Sequence, residues 1–221
     1  FGSAVAISND GTVLAVGAPQ ESSDGSGEGN NAAANAGAAY VYTYSGSWSQ
    51  QSYIKPTLVA PEADSAFGNS VSLNAAGDKL AVGSRFENGG ATDAGAAYVY
   101  SLSAGVPSDE VRVIADVRRA GDQFGGRVAL TADGTALFVT ASLENGRAKN
   151  LNGDATDFFT DTDAIEPFNN ADAGAAYKFD AASGVQQTYI KALNTGQGDK
   201  FGESLATSAD GSRYAIGATL E

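Results

Sequence analysis

Carboxylates are the reactive groups this sequence supplies in quantity. One stretch holds Glu21, Asp24 and Glu28 among Asn and Ser residues, and another, "NGDATDFFTDTDAIEP", holds Asp154, Asp157, Asp161, Asp163 and Glu166. Closely spaced carboxylates and Asn carbonyls are hard oxygen donors, the ligands that Ca2+ takes at about six to eight per ion. A second set recurs along the chain. Glu21, Glu87, Glu144 and Glu221 each close an apolar segment, and Asn35, Asp93 and Asp172 each open a later one. A Glu facing an Asp or Asn across the base of one loop would make a repeated cation clip, and calcium is the expected cofactor. The plain alternative is a solvated acidic loop, because Asp and Asn favour turns in any case.

Other chemistries are narrowed by what the composition lacks. The 221 residues contain no His and no Cys, so Ser-His-Asp and Cys-His nucleophile systems, disulfides and Cys-based or His-based zinc sites are excluded. Paired carboxylates at roughly 5 to 10 Å can hydrolyse glycosidic bonds. Nothing singles out one acid and one base among these repeated groups, so a non-enzyme is the expectation and a carboxylate-based hydrolase a lesser alternative. A net charge of −13 repels nucleic acid and anionic membrane surfaces. No apolar run approaches the roughly 20 residues that span a bilayer.

The elements that must position these groups come in repeats. Phe-Gly recurs at Phe1, Phe67, Phe124 and Phe201, each time followed by two apolar segments around a short turn, as in "VAISNDGTVLAVGAPQE". A later phrase returns as "NAGAAYVYTY", "DAGAAYVYSL" and "DAGAAYKFDA", and a third as "QQSYIKPT" and "QQTYIKAL". Three units span 1–66, 67–123 and 124–200, with a partial unit over 201–221, and residue 1 already lies inside a patterned segment, as in a mature product or a fragment. The length suits a four-stranded blade rather than a leucine-rich repeat. The expected fold is all-β: part of a single β-propeller of antiparallel blades, about three and a half of them. Strands A to D are VAIS, TVLAVGA, AAYVY and QSYIKPT in the first unit, rich in β-branched and aromatic residues and bounded by Gly, Asn or Asp.

Local chemistry refines the reading. Asp10-Gly11, Asp133-Gly134 and Asp210-Gly211 predict two-residue type I′ hairpins between strands A and B. The Gly after each Phe predicts a close backbone approach near the propeller axis. Tyr40, Tyr42, Tyr98, Tyr100, Tyr177 and Phe179 fall at alternate strand C positions and read as packing between blades. Lys55 and Lys191, at matching strand D positions, are expected to pair with neighbouring carboxylates.

Phe-Gly, an apolar strand, a turn and then Gly17-Ala18-Pro19 resembles the FG-GAP repeat of integrin α-subunit propellers and their bacterial relatives. The resemblance implies a β-propeller, calcium binding, and adhesion or ligand recognition outside the cell or at its surface. One departure matters. The calcium loop of the best-known members, DxDxDG between strands A and B, is here only "SNDGT", "NAAGDK", "TADGT" or "SADGS", so calcium is expected in the B to C loops instead. Those loops and the D to A connections share one end of an up-and-down propeller, which is where a protein or glycan ligand is expected. A structural subunit that self-assembles through open blade edges into a filament or surface layer is the alternative.

Overall fold

The computed structural model describes residues 1–146 and 172–220. Strands β1 (Ala4–Ile7), β2 (Val13–Ala18), β3 (Ala38–Tyr44) and β4 (Trp48–Ile54) form the first antiparallel sheet, in sequence order. β5 (Phe67–Leu73), β6 (Lys79–Ser84), β7 (Ala96–Ser103) and β8 (Val106–Val113) form the second, and β9 (Val128–Leu130), β10 (Ala136–Ala141), β11 (Ala175–Asp180) and β12 (Gln186–Ile190) the third. β13 (Ser204–Thr207) and β14 (Tyr214–Gly217) make a two-stranded hairpin. Each blade is a meander of neighbouring strands, and the whole is an all-β propeller fold of three blades and an opening hairpin.

The A to B turns differ in detail from the expected two-residue hairpins. Gly11 donates to the Ser8 carbonyl and lies at φ 71°, whereas Asp10 is not among the residues with positive φ. The Asp is held by its side chain instead: Ser8 and Thr12 hydroxyls and the Thr12 amide all donate to its carboxylate. Asp133 and Asp210 repeat the arrangement with Thr131 and Thr135, and with Ser208 and Ser212. In the second blade Ala76 stands at the Asp position, and Asn74, at the position of Ser8, accepts from the Asp78 and Lys79 amides. Successive turns are linked: Asn9 donates to the Ala75 carbonyl, Ala75 to Ala132, and Ala132 to Ala209, at 3.0, 3.0 and 2.8 Å.

The Phe-Gly phrase joins one blade to the next. Phe67 donates its amide to Ala36, Phe124 to Ala94 and Phe201 to Ala173, each acceptor lying just before strand C of the preceding blade. Phe67 and Phe124 are buried, edge-on to Tyr98 and Tyr177 at 5.4 and 5.3 Å. Burying such a ring contributes about 1.5–3 kcal/mol. Gly68 and Gly125 sit at φ 86° and 90°, where a Cβ would collide with the carbonyl oxygens of Ala38 and Ala96. The close approach therefore runs between adjacent blades.

Candidate functional site

The recurrent Glu closes the base of each B to C loop with its backbone as well as its side chain. The carbonyls of Glu21, Glu87 and Glu144 accept from Gly37, Gly95 and Gly174 at 2.8, 2.9 and 2.9 Å, which ties the loop shut where strand C begins. The side chains turn inward to Lys55, Arg112 and Lys191 of the same blade, joined at Glu144 by Arg119 from the connection before that blade. Glu21 meets Lys55 at 2.6 Å and accepts from the Tyr53 hydroxyl at 3.0 Å. Glu144 meets Lys191 at 2.8 Å, Arg119 at 3.5 Å and the Tyr189 hydroxyl at 3.1 Å. In the second blade Arg112 occupies the position opposite Tyr98 that Tyr53 and Tyr189 hold opposite Tyr40 and Tyr177. Its guanidinium and the Tyr98 hydroxyl supply both contacts to Glu87, at 2.8 and 2.6 Å. The cation at each of these carboxylates is the protein's own.

Burial sets the electrostatics. Desolvation lowers the pKa of Lys55 and Lys191, opposed in each case by the Glu beside it. Tyr53, Tyr98 and Tyr189 are pushed up, first by desolvation and also by the adjacent carboxylate. Asp122 stands next to the third cluster with 3% of its surface exposed; burial is the chief cause that raises it to about 7. One of its oxygens accepts from the Arg119 amide, and the other has no partner.

The backbones of Asn35, Asp93 and Asp172 tie the loop base to the connection that follows. All three take left-handed backbone conformations, φ 52°, 52° and 65°, and their carbonyls accept from Ala66, Gln123 and Lys200 of the following connection. The side chain of Asn35 donates to Asp64, 2.8 Å away. Asp24 accepts from the Ser26 amide and Asn30, bonds that lower its pKa, and Glu28 accepts from Gln50. The candidate ligands of the first loop thus have separate partners, and among the described residues no three or more Asp or Glu converge as a metal site. Asp154, Asp157, Asp161 and Asp163 lie outside the described residues. Lys55 and Lys191 pair with carboxylates as expected, but the Glu partners, Asp122 and the role of Arg112 were not read from the sequence. The recurrence of Glu together with "YIK" was the signal available.

The loop end carries a cleft of about 380 Å³ between the first two blades, lined by residues that include Asn35, Asp64, Asn69, Arg85 and Phe86. Its two loop classes are hydrogen-bonded together: Asp64 donates to Ala34, and Gly121 to Thr92. Asn69 accepts from the Arg85 amide, and the Arg85 guanidinium stacks 4.5 Å from the Phe86 ring.

Residues 48–100 match the family model of the FG-GAP repeat. That span runs from β4 of one blade to the middle of β7 of the next and contains the Phe67-Gly68 junction. No curated protein sequence matches the chain. Among solved structures the chain is similar to the hydrazine synthase of Kuenenia stuttgartiensis, with a TM-score of 0.52 and 10% identity. The alignment covers 97% of this chain and 41% of that one, and at such identity it speaks to fold alone. Residues 48–100 are an FG-GAP repeat, and the fold built around it is a β-propeller.

Proposed function

We propose that the chain is a non-enzymatic recognition module, acting in adhesion outside the cell or at its surface, that binds a protein or glycan ligand at the loop end. The observation that supports this reading most is the cleft of about 380 Å³ lined by Asp64, Arg85 and Phe86. It offers a carboxylate, a guanidinium and an aromatic face on a scaffold whose loops are cross-bonded, the kind of site that recognises without reacting. Immobilised panels of matrix proteins and of glycans, probed with the wild type and an Arg85→Ala/Asp64→Asn variant, test it. Binding that the variant loses at an unchanged melting temperature supports the reading. Binding that persists, or turnover of any glycoside in the panel, overturns it.

Calcium association is retained as part of this proposal on the strength of the "NGDATDFFTDTDAIEP" sequence. A melting temperature raised by calcium and lowered by a chelator supports it, and an unmoved one removes it. Self-assembly has its own supporting observation: Phe1, Val5 and Ile7 at one end are 73%, 66% and 56% exposed. Light scattering across a concentration series separates that reading from a monomer.

A further inference from the structure

A second cleft, of about 330 Å³, opens on the rim where β4 of the first blade meets β8 of the second. This volume is at the small end of the range for ligand sites, about 300–1,000 Å³. Tyr53, Ile54 and Pro107 give it an apolar wall, and Lys55, Tyr100, Asp109 and Glu110 line the rest. Tyr100 is 3% exposed, yet its hydroxyl has no hydrogen-bond partner. An unpaired buried hydroxyl is costly, and the third blade shows the cheaper solution: Phe179, fully buried, at the equivalent strand position. The neighbourhood of Tyr100 is also shaped. β7 and β8 slip register beside it, as the matching strands do in the other two blades, and here Asp109 in addition takes a left-handed conformation, φ 49°.

The charges around the cleft are already engaged. Glu110 accepts from the Thr57 amide and hydroxyl and from the Leu58 amide, Asp109 accepts from Ser108, and Lys55 is neutralised by Glu21. An anion would face two carboxylates, and a cation would find one of them, Glu110, already held by three protein donors. What the cleft still offers is a neutral phenol, the spare donors of Lys55, the second oxygen of Asp109 and an apolar wall.

We propose that this rim cleft binds a neutral pyranose sugar, its apolar face against Tyr53 and Pro107 and its hydroxyls meeting Tyr100, Lys55 and Asp109. Sugars combine a C–H face with alternating donors and acceptors, which matches this set. The site is separate from the loop-end cleft and does not depend on it.

Saturation-transfer NMR and calorimetry with the methyl glycosides of glucose, galactose, mannose and N-acetylglucosamine test the assignment. At least one is expected to bind in the millimolar range or tighter. Tyr100→Phe should weaken it about fivefold to tenfold at an equal or higher melting temperature, since the variant loses an orphaned hydroxyl and no packing. Asp109→Asn should weaken it with the fold intact, whereas Arg85→Ala/Asp64→Asn should leave it unchanged. No binding by any of the four glycosides, or equal affinity in wild type and Tyr100→Phe, overturns the proposal.

Discussion

In the second blade Glu87 meets one guanidinium and one phenol, whereas in the third Glu144 meets Lys191, Arg119 and Tyr189 and lies close to the Asp122 carboxyl. The two blades have the same strand order and close the same loop base, so the difference is one of electrostatics. Arg112 places two nitrogens on the carboxylate from a side chain that is 22% exposed. Lys191 is fully buried and must also donate to the Gly174 carbonyl to satisfy its ammonium. A planar fork at the rim of a blade needs little support, while a buried point charge needs several partners.

The largest expected effect comes from removing each cation. Lys191→Met leaves the buried Glu144 charge to Arg119 alone, at 3.5 Å, a loss of about 3–5 kcal/mol in urea unfolding. Arg112→Met should cost less, about 1–3 kcal/mol, because water reaches the Arg112 side chain. Equal losses would break the comparison.

The junctions on either side of the third blade sharpen it. Gly125→Ala puts a Cβ against the Ala96 carbonyl at φ 90° and should cost about 3 kcal/mol or more. At the next junction Thr140 replaces the Gly of the GAP phrase, and a Cβ on Gly202 would meet the Thr140 Cβ at 2.9 Å and the Ala175 oxygen at 3.0 Å. Gly202→Ala, strained too at φ 111°, should still cost less, about 1–2 kcal/mol, since the backbone oxygen it meets is at 3.0 Å rather than in outright collision. Equal thermal or urea midpoints would show that the junctions are equivalent, and the opposite order would overturn the ranking.

Asp122 supplies a pH test of the third blade alone. Its folded carboxyl, raised to about 7 from 3.8, binds a proton more tightly than the unfolded one. Its ionisation therefore destabilises the fold fully above pH 7, and the penalty fades as pH falls towards 3.8. Asp122→Asn should stabilise by about 2–4 kcal/mol above pH 7, with the gain shrinking in acid. The first blade has Ser65 here, donating to Ala36 at 2.9 Å, so Asp122→Ser should act in the same direction. A gain that does not vary with pH would refute this account.

The smallest effect belongs to the exposed turns. Hydrogen bonds from Thr131 and Thr135 hold the Asp133 carboxyl below its ordinary value. Its contribution is present above pH 3.8 and is lost as pH falls through the depressed value. Asp133→Ala should lower the melting temperature slightly at neutral pH and not at all in strong acid. The second blade's Asn74 does not titrate, so Asn74→Ala should lower it equally at both.

Much of the fold was legible because its signals are local. Alternating apolar residues in VLAVGA, AAYVY and YIK each mark a strand within a few residues, and the returns of Phe-Gly count the blades. The turns were misread in type: Asp-Gly alone suggests two positive φ values, but Ser8 and Thr12 flanking Asp10 let the side chain, rather than a left-handed Asp, close the bend. The Glu clasps were less legible still. Glu144 and Lys191 lie 47 residues apart, and only the lateral order of β10, β11 and β12 brings them together.

By itself, then, the sequence determined the all-β class, the recurrence of the Phe-Gly phrase and the acidic character, because periodicity and composition act over short stretches of chain. The tertiary structure decided what each carboxylate faces. It gave Glu21, Glu87 and Glu144 to protein cations, left Asp122 half-satisfied and Tyr100 unpaired, and set one cleft at the loop end and another where β4 meets β8. Which partner a side chain meets across a sheet or between two blades depends on register and packing of segments far apart in sequence, and residue spacing along the chain does not carry that information.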